Sequence, residues 1–276
     1  MNNFRNQIIR LTIIPITSIA ILLAYGTSVN LSGSHSQLSE SGLYSNLSRI
    51  YNLYDSTKLK SVILGSSISA RVLDTFVPSS FQPCVNLGMD AGATATSLHL
   101  FLDSEVYSEF VFIEANTFGI VPPEHGVTTL NAAQSINFRI KNTIPFIRET
   151  YRPSSVLYTK LKSLKDDSYG SHLKSTEPFR REDWSLHDAT KILSEIEQKS
   201  DHIIFVNYPS KRQPNGKILN FITQTVSSNS NIHYLDLQNS KSSKSFLFTD
   251  QTHLTLKSAR TIASSISSYA AKISTH

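Results

Sequence analysis

Two groups of residues in this chain have the types and spacing for chemistry: Gly65-Ser66-Ser67 and, far downstream, Asp250-Gln251-Thr252-His253. A serine hydroxyl is a weak nucleophile until a base takes its proton, and histidine, which titrates near neutrality, is the usual base. An aspartate three residues before the histidine, on a turn, can hold one ring nitrogen and leave the other facing the serine. Ser67, His253 and Asp250 are therefore the candidate nucleophile, base and orienting acid of acyl chemistry. Attack by a serine on an ester creates an oxyanion, which needs donors already in place. The candidates are the N–H of Ser67 itself, the backbone N–H of Gly92 and the side-chain amide of Asn116. Each residue also has a plainer reading: Gly-Ser-Ser can cap a helix, Gly88 and Gly92 can be turn glycines, and Asn116 can be a cap.

These residues need elements that bring them to one place. The run 61–64 is β-branched and apolar and stops at Gly65, where a residue without a Cβ lets the chain turn sharply at the C-terminal edge of a buried strand. Further apolar strands are expected at 84–87, 110–114, 202–207 and 232–235. Helical spacing alternates with them at 70–76, around 98–102, and at 188–198, 218–226 and 256–273. That alternation predicts an α/β fold, a three-layer α/β/α flavodoxin-like sandwich on a mostly parallel five-stranded sheet. Nucleophile, donors and base then gather at one sheet edge. Asp90 and Glu114 read as a solvated turn residue and a salt-bridged strand end. The order breaks between 118 and 181, with Pro122-Pro123, an amphipathic helix at 136–147 and a basic, serine-rich piece over 158–174. An insertion of that length suggests a lid over the site or a partner surface, and its Lys160, Lys162, Lys165 and Lys174 read as a solvated basic face, with contact to an anionic polymer as the alternative.

The chain has 276 residues, 39% hydrophobic and 17% charged, which suits one sizeable folded core. Its net charge of +5 is not gathered into a Lys/Arg cluster interleaved with aromatics, so nucleic acid is not an expected partner. Cys84 is the single cysteine, which excludes an internal disulfide and a Cys-based zinc cluster, and the histidines other than His253 show no metal-ligand spacing. Gly65-Ser66-Ser67 lacks the Gly-Lys pair of a phosphate loop, and neither metal nor cofactor is expected. At the N-terminus Arg5 and Arg10 precede the run 11–25, apolar apart from Thr12, Pro15, Thr17 and Ser18. This is an export pattern, compatible with a cleaved signal or an uncleaved signal-anchor. The chain thus divides into a signal or anchor helix at 1–26, a linker and packing helix at 27–57, and a catalytic domain at 58–276 with an insertion at about 118–181.

In order along the chain, Gly65-Ser66-Ser67, Gly92, Asn116 and Asp250-x-x-His253 resemble the four blocks of the SGNH (GDSL-like) hydrolase superfamily, over about 61–264. The resemblance implies Ser67 as nucleophile, Gly92 and Asn116 as oxyanion donors, His253 as base and Asp250 as its partner. Ser66 stands where the better-known members have aspartate, as in membrane-associated and polysaccharide-modifying branches that read Gly-Ser-Ser. The segment from Asn86 to Gly92 is one residue longer than the usual second block, which leaves Gly88 competing with Gly92. Resemblance further implies a serine esterase or O-acyltransferase, O-acetyl in the first instance, acting on a cell-envelope or exported carbohydrate. Its implied partners are an acyl-ester or carbohydrate substrate, a membrane acyl-donor protein, and the membrane itself through the N-terminal segment. The protein would face the periplasm or extracytoplasmic side, or be secreted if the signal is cleaved. The alternatives are a general small-ester or lipid esterase and a catalytically silent binding or scaffolding subunit of an envelope assembly.

Overall fold

Five apolar runs pair into one sheet. They are β1 (Lys58–Gly65), β2 (Cys84–Gly88), β3 (Tyr107–Glu114), β4 (Ser200–Asn207) and β5 (Ile232–Asp236). Their order is β2-β1-β3-β4-β5, and every neighbouring pair is parallel. The computed structural model describes residues 2–31, 41–157, 177–178, 184–240, 245–250 and 252–274. Within them the helices are α1 (Asn2–Leu31), α2 (Gly42–Tyr54), α3 (Thr94–Asp103), α4 (Glu124–Gln134), α5 (Ile136–Thr143), α6 (Leu186–Glu197), α7 (Gly216–Ser228) and α8 (Leu256–Ile273).

A parallel sheet is covered on both faces, so its side chains divide by alternation between two cores. Val62, Leu64, Val111, Ile113, Ile203 and Phe205 enter the core shared with α2, α3, α6 and α7. Ile63, Phe110, Phe112, Ile204 and Val206 enter the other, where α8 packs Ala259, Ile262, Ala263, Ile266 and Ala270 at helical spacing. The result is the three-layer α/β/α arrangement, with the sheet wholly parallel.

The expected helix at 70–76 does not form. In its place are the 3-10 turns Ser69–Arg71 and Asp74–Phe76, then Ser79–Phe81. Side chains take the carbonyls that a helix would use: the Asn86 amide donates to Ser69 and Val72, and the Gln82 amide to Asp74 and Val77. Pro78 also holds Val77 extended. The helix expected at 136–147 is interrupted for the same kind of reason, since Ile144 precedes Pro145 and leaves the helical region at φ −118°.

Most of the described insertion belongs to the body of the fold and does not form a lid. Ala133 and Phe138 are buried in the first core. The Phe138 ring stacks on Tyr51 of α2 at 4.5 Å, and the Arg148 guanidinium lies over the Tyr51 ring at 4.7 Å and holds Asp55 through bonds of 2.5 and 2.9 Å. The basic piece at 158–174, with its four lysines, lies outside the described residues. In α1, the side chains Ile13, Ile14, Ile16, Ile19, Ile21, Leu22 and Leu23 stay exposed, and among the described residues no helix is long and apolar enough to cross a membrane.

Candidate active site

β1 delivers Ser67 through a turn built around one buried carboxylate. Glu114, the last residue of β3 and fully buried, accepts from Ser66 N–H (2.8 Å), Ser66 Oγ (2.7 Å), Ser69 N–H (3.1 Å) and Thr117 Oγ1 (2.8 Å). The residues on both sides of Ser67 are thereby fixed. Gly65 is required for this arrangement, because a Cβ there would come within 2.6 Å of Glu114 Oε2 and 2.7 Å of its Cβ. Glu114 is therefore no salt-bridged strand end; it is the bracket that holds the serine turn. Its signal in the sequence is an acid placed directly after the wholly apolar run 110–113.

A second turn, at the entry to α8, carries the base. Phe248 pairs with Leu254 in an antiparallel bridge, Thr249 N–H donates to His253 O (2.8 Å), and Thr255 N–H donates to Leu247 O (2.9 Å). Thr255 then caps α8 by accepting from Ser258 N–H. Asp250 Oδ1 accepts from the N–H groups of His253 (2.8 Å) and Thr252 (3.1 Å), which leaves Oδ2 for the imidazole. His253 Nδ1 stands 2.7 Å from Asp250 Oδ2, and His253 Nε2 stands 2.9 Å from Ser67 Oγ. Partial burial by itself would raise the Asp250 carboxyl, but the bonds from the His253 ring and from the two backbone N–H groups outweigh it and hold it below the usual carboxylate range. An ionised Asp250 can only accept, so Nδ1 carries the hydrogen and the Nε2 lone pair faces the Ser67 hydroxyl.

The expected oxyanion donors fare differently. Asn116, 1% exposed, gives its amide hydrogens to Tyr208 O (3.0 Å) and Arg212 O (2.7 Å), and its Oδ1 accepts from Tyr208 N–H (2.8 Å). It braces the end of β3 to the chain beyond β4 and has no donor left for a ligand, so the donor role is corrected to that of a brace. Gly92 N–H closes a turn onto Met89 O (3.0 Å), and Gly88 N–H is taken by Asn86 Oδ1 (2.6 Å), which removes both glycines as donors. The N–H groups of Ser67 and Ala93 donate to no acceptor among the described residues, and both residues line the cavity at the Ser67–His253 pair. Ala93 is 3% exposed and is the N-cap of α3, so its unpaired N–H sits at the positive end of a helix.

That cavity measures about 500 Å³. Arg71, Asp90 and Arg212 supply its charged wall, and Ile120, Val121 and Pro123 bring the first residues of the insertion to its mouth. A second cavity of about 360 Å³, lined by Phe118, Trp184, Leu186 and Ile218, adjoins it at Ile120. Behind the charged wall lies Arg49, 2% exposed, which donates to Gly88 O (2.5 Å) and Ala70 O (3.4 Å) and pairs with Asp90 at 3.5 Å. Burial lowers the pKa of Arg49 and the Asp90 charge opposes it. Sequence reasoning passed over Arg49, although it is the one charged residue of α2. Among the described residues no group of three or more His, Cys, Asp or Glu could hold a metal ion. Comparison with protein-family models, with curated proteins and with solved structures gives no match.

Proposed function

We propose that the protein is a serine-dependent acyl-transfer enzyme, an esterase or O-acyltransferase of carbohydrate esters with SGNH-like chemistry. The observation that carries this reading is the continuous array of Ser67 Oγ, His253 and Asp250 at 2.9 and 2.7 Å. Ser67 Oγ attacks the ester carbonyl carbon while His253 Nε2 takes its proton. The charge that develops on the carbonyl oxygen is met by the N–H groups of Ser67 and Ala93. Collapse of the tetrahedral species breaks the bond to the leaving alkoxide, which receives the proton from His253, and an acyl-serine remains. Water or a sugar hydroxyl, deprotonated by the same histidine, then releases the acyl group. A hydroxyl seated in the cavity outcompetes bulk water through its effective molarity, which is how a transferase arises from this set. The resemblance of the four blocks favours a carbohydrate acceptor and an acyl-donor protein at the membrane. The exposed isoleucines and leucines of α1, behind Arg5 and Arg10, favour attachment of that helix to an apolar environment on the exported side.

Reaction of the full chain with a fluorophosphonate tests the first step. Ser67 is expected to be labelled, and Ser67→Ala to lose the label and at least ~10⁴-fold in kcat/KM on an activated acetyl ester, with an unchanged melting temperature. Absence of labelling in the folded wild type would leave the binding or scaffolding reading. Acetyl transfer to an added oligosaccharide, read by mass spectrometry, separates transferase from esterase.

A further inference from the structure

We infer that Arg71 is a specificity-determining residue of this cavity and that the substrate is an acidic saccharide, its anionic group held by the Arg71 guanidinium while its ester lies at Ser67; the inference rests on the acyl-transfer reading and names its substrate class. Arg71 lines the same cavity as Ser67 and His253. It follows the nucleophile by four residues, in a turn whose backbone is held on every side: Ser69 N–H by Glu114, Ser69 O by Asn86, and Ala70 O by Arg49. A long cation on a pre-positioned backbone loses less freedom when it binds.

Four other arginines among the described residues have partners. Arg49 and Arg148 hold Asp90 and Asp55, and Arg152 and Arg260 lie over the rings of Tyr44 and Phe76. The Arg71 guanidinium has no hydrogen-bond or ion-pair partner among the described residues, and its Nε is buried without one. A buried guanidinium edge without an acceptor is costly unless a ligand completes it. Among the described residues the one carboxylate lining the cavity, Asp90, is paired with Arg49, and the α3 N-terminus adds positive potential. The unpaired Arg71 guanidinium is therefore the place in this cavity for an anionic group. A planar guanidinium matches a carboxylate or phosphate through paired N–H donors, which a neutral sugar does not offer.

Three O-acetylated methyl glycosides of one scaffold provide the test: the glucoside, the glucuronoside and the glucoside 6-phosphate. The full chain is expected to show a KM about ten-fold lower for at least one anionic ester than for the neutral one, with the preferred ester distinguishing carboxylate from phosphate. Added salt should erode the ratio. In Arg71→Gln the ratio should collapse to about one, and Arg71→Lys should restore part of it. Equal KM values for all three in the wild type would overturn the inference, as would a ratio kept by an Arg71→Gln protein of unchanged melting temperature. If Arg71→Gln fails to fold, the comparison of Arg71→Lys with wild type decides. The unacetylated glycosides, followed by saturation-transfer NMR, read the same preference without turnover. Anion preference without fluorophosphonate labelling would thus fail the acyl-transfer reading alone, and labelling without anion preference would fail this inference alone.

Discussion

At the scale of single residues, the candidate site depends on Glu114 as much as on the three side chains that meet at Ser67. Its two oxygens serve two backbone N–H groups and two hydroxyls. Hydroxyls can rotate to accept from an amide, and backbone N–H groups cannot. Glu114→Gln is therefore expected to fold, losing about 1–2 kcal/mol as charge-assisted bonds become neutral ones. Glu114→Ala leaves two buried N–H groups without acceptors and opens a cavity, for a loss of about 3–5 kcal/mol. Chemical denaturation measures both, and the rate of fluorophosphonate labelling at Ser67 should fall far more in the alanine variant. Equal stability of the two would mean that Glu114 does not bracket the turn. Glu114 escaped sequence reasoning because an acid at a strand end is commonplace; what distinguishes it is burial, and burial depends on a turn 48 residues upstream.

At the scale of elements, the base is only as well placed as the start of α8. Thr255 joins the two: its N–H closes the His253 turn onto Leu247 O, and its side chain caps the helix. Ser135 caps α5 in the same way, accepting from Phe138 N–H at 3.1 Å, but far along the chain from any residue of the Ser67–His253 pair. Thr255→Ala and Ser135→Ala should each cost about 1 kcal/mol. Only the first should slow acylation of Ser67, because only the first loosens the segment that carries His253. Thermal melts paired with single-turnover acylation check this, and equal rates in the two variants would show that the turn holds without its cap. The bounds of α8 were legible in the sequence, since its apolar residues keep one helical face over its whole length. The 70–76 helix was misread because Asn86 and Gln82, which capture its carbonyls, come later in the chain and carry no local signal.

At the scale of the whole molecule, Asp74 ties stability to pH. Burial pushes its carboxyl up to about 6, and the backbone N–H of Thr75, the Arg49 charge and its own N–H offset this only in part. The unfolded chain titrates near 3.9. Between these values the folded protein keeps a proton that the unfolded chain gives up, so this group's contribution to stability is largest below about pH 4, declines as pH rises to about 6, and stays low beyond. Asp74→Asn removes the dependence. The variant should be more stable than wild type at pH 7 by about 2 kcal/mol, with the difference shrinking towards pH 4. Denaturation at the two pH values checks it, and a difference that does not change with pH would place the cause elsewhere.

The five strands and their gathering of Ser67, Asp250 and His253 at one sheet edge were readable from the sequence, because hydrophobic alternation is local and parallel strands have one C-terminal edge. Residue type together with spacing and position also picked out the serine, histidine and aspartate that the structure brings into contact. Which N–H groups remain free at that edge was decided by tertiary structure. Asn116 has two donors on paper, and both go to carbonyls 92 and 96 residues away. Gly92 uses its donor within its own turn, while Ala93, next to it, keeps one. A donor's availability is what remains after every nearby acceptor has made its claim, and those acceptors are neighbours only once the chain has folded.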